Sequence, residues 1–148
     1  MFDEAKGRAI IEHISRIPVV DTLGMRVESF EEGFCRAVVP RRPDLDGVYR
    51  SYHGGMLTLA ADSVACFAIL TMTPITEALT TTDIHIRFLA PCLSDVTVEA
   101  RVIKLGRTLC PVQADLFDAD GKRVASSQVT YMRLPKTPSH APGSGGNG

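Results

Sequence analysis

The sequence predicts an α+β domain in which a curved antiparallel sheet wraps around one long central helix. Three observations carry that expectation. Residues 54–72 form one apolar stretch, rich in Ala and Leu, without internal Pro, and of helical rather than strand length. After Pro74, apolar and polar side chains alternate with a period of two, in runs separated by turn residues. Two shorter strand-like runs precede the long helix. One face of such a sheet must be covered, and only residues 54–72 are apolar enough to cover it.

Taken in order, residues 3–17 place Ile10, Ile14 and Ile17 at helical spacing, with Ile11 beside them and charges opposite. This additional N-terminal helix is expected to end at Pro18, within a segment spanning residues 1–20. Residues 24–29 and 34–39 read as strands joined through Glu31-Glu32-Gly33. Residues 40–52 carry two prolines, three arginines, two aspartates and Gly47, which is loop chemistry. The stretch at 54–72 is apolar nearly all round, as in a helix buried on most sides, and Thr73-Pro74 stops it.

Residues 79–89 then alternate, with Thr82, Ile84, Ile86 and Phe88 on one face and Thr81, Asp83, His85 and Arg87 on the other. Residues 96–105 and 108–118 flank a turn at Gly106-Arg107, and Asp118-Ala119-Asp120-Gly121 leads into a last strand at 124–134. Short connections make these four strands an expected antiparallel meander. Residues 135–148, with three prolines and four glycines, read as a disordered tail, leaving a single domain over 1–134.

The 148 residues are enough for one such core. Lys+Arg 16 against Asp+Glu 17 gives a formal net charge of -1, which argues against a nucleic-acid-binding surface. Cys35, Cys66, Cys92 and Cys110 are widely spaced and far from any His, so no metal site is expected. The charged N-terminal residues lack the apolar stretch of a secretory signal. With no disulfide pattern either, a reducing cytoplasm is the expected compartment. No membrane span is expected, since the apolar core of 54–72 carries Asp62 near its middle.

That aspartate is the first functional signal. A carboxylate on an otherwise apolar helix is costly unless it is paired or used. His53-Gly54-Gly55 is the second, at the point where the loop becomes the helix. A helix's first turn has unpaired N–H groups and the positive end of the dipole, and two glycines let a ligand oxygen approach them. His53 itself reads as a helix-entry residue that bonds backbone rather than as a catalytic acid. Gly54 and Asp62 are eight residues apart, about 12 Å along a helix by rise. One carbonyl cannot touch both within one chain. Two antiparallel copies of the helix would bring Gly54 of one near Asp62 of the other, so a dimer with a shared site is expected.

The run His53-Gly54-Gly55-Met56-Leu57-Thr58-Leu59-Ala60-Ala61-Asp62 resembles the H-G-G-(x)6-D helix of hotdog-fold acyl-CoA thioesterases of the phenylacetic acid degradation type. Residues 81–91 and 102–108 are similar to that family's third strand and following hairpin, and the resemblance covers about residues 23–134. It implies a hotdog fold and hydrolysis of an acyl-CoA thioester by a homo-oligomer, either a dimer or a dimer of dimers. No separate cofactor is implied, CoA being part of the substrate. Asp62 would be the general base or the nucleophile, and the Gly54 N–H, with Gly55, would hold the thioester oxygen. Thr81 matches a position that helps to place the water, and Lys104, Arg107 and Arg133 would meet the CoA phosphates.

The sequence departs from the family pattern about six residues before His53, where members usually carry an Asn that orients the carbonyl. Here residues 46–52 contain none, leaving Arg50, Ser51 or a Tyr hydroxyl as substitutes. That departure raises a non-catalytic acyl-CoA or lipid-binding protein as an alternative. A dehydratase acting on enoyl-CoA is a third, though its usual mid-helix His is absent.

Overall fold

In the computed structural model, which describes residues 1–135, two short helices open the chain. The first, α1 (Glu4–Ile14), is capped by the Asp3 carboxylate, which accepts from the Lys6 N–H at 2.8 Å. It buries Gly7, Ile10 and Ile14. The helix expected to run to residue 17 stops earlier, and Pro18 starts a second helix, α2 (Pro18–Leu23), instead of merely ending the first. Proline has no N–H to lose at a first helical position, and its fixed φ suits that turn. Gly24, expected to begin a strand, closes α2 with φ 64°, a conformation that favours glycine.

Strands β1 (Arg26–Glu31) and β2 (Phe34–Val39) form the expected hairpin. A 3-10 turn at Pro43–Leu45 interrupts the following loop, and α3 (Gly54–Leu70) follows it. Thr71 fixes the far end of α3. Fully buried, it donates to the Ala68 carbonyl at 2.7 Å and accepts from the Gly33 N–H at 2.7 Å. The β1–β2 turn is thereby tied to the helix.

The remaining strands are β3 (Leu79–Phe88), β4 (Val96–Val102), β5 (Leu109–Phe117) and β6 (Arg123–Arg133). The six strands form one antiparallel sheet in the order β1-β2-β4-β5-β6-β3. The expected four-strand meander is therefore three strands, β4 to β6. β3 does not pair with β4, whose two sides are taken by β2 and β5; it lies at the far edge beside β6. The connection from Phe88 to Val96 is long enough to cross the sheet rather than turn back. It is pinned by a hydrogen bond from the Tyr52 N–H to the Cys92 carbonyl at 2.9 Å.

The curved sheet wraps α3, which is the hotdog architecture. Ala60, Ala61, Ala65 and Ala68 are fully buried on α3 and let the helix sit close to Ala37, Val98, Ala100, Val112 and Ala114 of the sheet. The helix is not buried all round, however. Gly55, Met56, Leu59, Asp62, Ser63 and Cys66 form a stripe that the chain's own sheet leaves partly open. Among the described residues no helix is long and apolar enough to cross a membrane. The tail expected at 135–148 lies, from residue 136 onwards, outside the described residues.

Candidate active site

The entry to α3 is built by its cap. His53 has extended backbone (φ -59°, ψ 132°), and its Nδ1 accepts from the Gly55 N–H at 2.8 Å. His53 thus bonds backbone, and the Gly55 N–H is occupied. The Gly54 N–H, in contrast, has no acceptor among the described residues. It borders a cleft of about 430 Å³ lined by Ser51, Tyr52, Gly54, Leu57 and residues 88–92. A Cβ on Gly54 would lie 3.0 Å from Cζ of Phe88, so the aromatic ring packs directly on the glycine.

The loop ahead of the cleft carries Arg50 at φ 53°, a left-handed conformation rare for a side chain of this size. Arg41 holds it there. The Arg41 guanidinium pairs with Asp46 at 2.5 Å and donates to the carbonyls of Arg50 at 3.0 Å and Leu93 at 3.2 Å. Of the substitutes for the missing Asn, Tyr52 has its hydroxyl committed to the Pro40 carbonyl at 3.2 Å, and Tyr49 stands 91% exposed at the loop tip. Ser51 lines the cleft, with its hydroxyl unengaged among the described residues. Phe67 of α3 is 2% exposed and belongs to the core rather than to the cleft.

Asp62 lies at the middle of α3, on the open stripe, and is half-buried rather than sealed in the core. Its Oδ1 accepts from Thr81 Oγ1 at 2.7 Å and from the Tyr131 hydroxyl at 2.8 Å. The same phenol lies 2.9 Å from the Asp62 carbonyl oxygen. Burial pushes the Tyr131 phenol well above its ordinary range, so it stays a neutral donor. One turn along α3, burial and then the Asp62 charge push the Cys66 thiol up to about 12, so it carries no thiolate.

Thr81 reaches Asp62 because β3 is not a regular strand. Thr81 pairs with Tyr131 but Asp83 pairs with Thr130, which makes Thr82 the extra residue of a β-bulge. The bulge reverses the alternation, so Thr81 joins Ile84 and Ile86 on the helix side instead of Asp83, His85 and Arg87 on the outer side. Strict two-residue alternation places Thr81 on the face opposite Ile84 and Ile86, and the bulge brings it to theirs.

The three basic candidates separate. Arg133 is engaged with Glu77 Oε1 at 2.5 Å and with the Gly106 carbonyl at 3.2 Å, where it braces the β4–β5 turn. Lys104 and Arg107 are exposed on that turn, without an ion-pair partner among the described residues. The turn lies at the Asp62 end of the sheet, since Leu109 pairs with Met132 beside Tyr131. Among the described residues no group of three or more His, Cys, Asp or Glu side chains is arranged to hold a metal. Sequence reasoning missed Tyr131. It is one of only three tyrosines, and its neighbour Thr81 is revealed only by the β3–β6 pairing.

A family model described as the thioesterase superfamily matches residues 50–125, which cover the end of the cleft loop, α3, β3 to β5 and the start of β6. A protein of Saccharolobus solfataricus described as a candidate esterase is 26% identical over 127 residues, which is 85% of this chain and 84% of its own length. Among solved structures, a thioesterase family protein from Silicibacter pomeroyi superposes with a TM-score of 0.80 at 25% identity, covering 87% of this chain and 98% of the other. The E. coli PaaI protein from the phenylacetic acid degradation operon superposes with a TM-score of 0.83 at 20% identity, covering 91% and 97%.

Proposed function

The chain belongs to the thioesterase superfamily, and from that premise we propose that it hydrolyses acyl-CoA thioesters at a site shared by two copies. The observation that carries the reading is the division of the machinery within one chain. The cleft at the start of α3 contains the free Gly54 N–H but not Asp62, which sits about 12 Å further along the helix by rise. Asp62 in turn opens onto an incompletely covered stripe with Met56, Leu59 and Cys66. Beside it, β3 is a ten-residue edge strand with no neighbour on its outer side among the described residues. An exposed edge next to a partly apolar helix stripe invites pairing with a second copy. An antiparallel arrangement of two α3 helices brings the Gly54 of one to the Asp62 of the other.

In that site the thioester oxygen accepts from the Gly54 N–H at the positive end of α3. Asp62 takes a proton from a water molecule, and the resulting hydroxide adds to the thioester carbon. The C–S bond then breaks, the acid is released, and the CoA thiolate recovers the proton from Asp62. No cofactor is needed. Lys104 and Arg107 on the β4–β5 turn are suited to the CoA phosphates, while Arg133 supports the turn. The acyl group occupies the cleft against Leu57, Phe88 and Leu89, with Ser51 in place of the family Asn.

Thiol release measured over aromatic, short, medium and long acyl-CoAs tests this reading. The expected result is saturable release of free CoA from at least one class. Tight binding of acyl-CoA without thiol release from any class would instead identify a binding protein, and hydration of an enoyl-CoA would identify a dehydratase.

A further inference from the structure

We infer that Tyr131 is a positioning residue that divides the labour between the two oxygens of Asp62, holding Oδ1 so that Oδ2 alone meets the water. The inference rests on the reading of Asp62 as the catalytic carboxylate. Both short side-chain contacts to Asp62 end on the same atom, with Thr81 Oγ1 at 2.7 Å and the Tyr131 hydroxyl at 2.8 Å from Oδ1. No side-chain donor among the described residues reaches Oδ2. The carboxylate of an aspartate rotates over a broad range unless it is restrained. Two donors on one oxygen remove that freedom, and the other oxygen then projects in a fixed direction.

Tyr131 is well suited to this. It is held on both sides in the sheet, opposite Cys110 of β5 and Thr81 of β3. The residue is 6% exposed. Its hydroxyl touches both the Asp62 carboxylate and the Asp62 carbonyl, so it fixes the side chain relative to the helix that carries it. Satisfying a buried charge would not require such a residue, because Asp62 is half-buried and water could solvate it. The contact therefore serves orientation, and rigid elements hold a reacting group more accurately than loops do.

The test compares Tyr131→Phe, Thr81→Val, Thr81→Ser and Asp62→Asn in the full chain by kcat, KM, thermal melting and light scattering. Tyr131→Phe keeps the ring and removes one donor, and it is expected to lower kcat roughly tenfold, the equivalent of one hydrogen bond, with KM within about twofold of the parent. Thr81→Val is expected to show the same split and Thr81→Ser to restore the rate, which keeps the proposal testable should Tyr131→Phe not fold. Parent-like kcat in both Tyr131→Phe and Thr81→Val, beside an inactive Asp62→Asn, would overturn the positioning role. A lower melting temperature with unchanged kcat would overturn it too, since that is the signature of a merely structural contact. Should Asp62→Asn itself retain full turnover, the catalytic reading of Asp62 fails and this inference falls with it.

Discussion

Asp62→Asn is expected to fold and associate like the parent protein while losing thiol release by roughly 10²–10⁴-fold, the usual contribution of a positioned general base. The substitution is nearly isosteric. The amide oxygen of Asn can accept from Thr81 and Tyr131 as Oδ1 does, so the tether between α3, β3 and β6 persists. What disappears is an oxygen able to take a proton from water. Because Asp62 is half-buried and pairs with no cationic side chain among the described residues, removing its charge is not expected to lower the melting temperature. Steady-state kinetics combined with melting and light scattering separate the effects. Full turnover in the Asn variant would remove Asp62 from the mechanism.

The second large effect concerns a backbone atom. Gly54 is the first residue of α3, where proline is well tolerated, and the preceding His53 already has the extended backbone that a following proline requires. The Gly54 N–H makes no internal hydrogen bond among the described residues, so deleting it costs the helix little. Gly54→Pro therefore removes the proposed oxyanion donor and leaves the helix in place. Any added Cβ meets the Phe88 ring at 3.0–3.4 Å, but that side chain is 52% exposed and can shift. Gly54→Ala makes the same contact and retains the N–H, and is the matched control. The expected kcat falls modestly in the Ala variant and by roughly a further 10²–10³-fold in the Pro variant, the cost of one oxyanion-hole donor. Equal kcat values in the two would assign the whole loss to crowding against Phe88.

Much of this arrangement is legible in the sequence, because it depends on local rules. The length and composition of 54–72 identify the helix, two-residue alternation identifies the strands, and His53-Gly54-Gly55 marks the helix entry. Two features are not legible, and both depend on which strands become neighbours. Consecutive strands with a short connection are expected to pair, which would have put β3 beside β4. The actual β3–β6 pairing places Thr81 opposite Tyr131. The bulge at Thr82 then turns Thr81 inward, and period-two counting cannot reveal an inserted residue. Tyr131 consequently looks like an ordinary strand aromatic until its partners are known. Arg133 shows the reverse case. The family resemblance implies a phosphate contact for it, but Glu77, 56 residues away, engages it.

The central claim is that each site draws Gly54 from one copy and Asp62 from the other. Mixing Gly54→Pro with Asp62→Asn chains tests it, by co-expression with distinct tags and isolation of assemblies that carry both. A mixed dimer of these inactive variants holds one site with Gly54 and Asp62 both intact and one site with both defects. In an unfractionated equal mixture, about a quarter of the parent sites are therefore restored if the site is shared across a two-fold interface. If each chain instead builds its own site, every site in the mixed dimer keeps one defect. Recovery to about half of the parent rate in the isolated mixed dimers is the predicted result, and activity no greater than that of the two variants alone would contradict it.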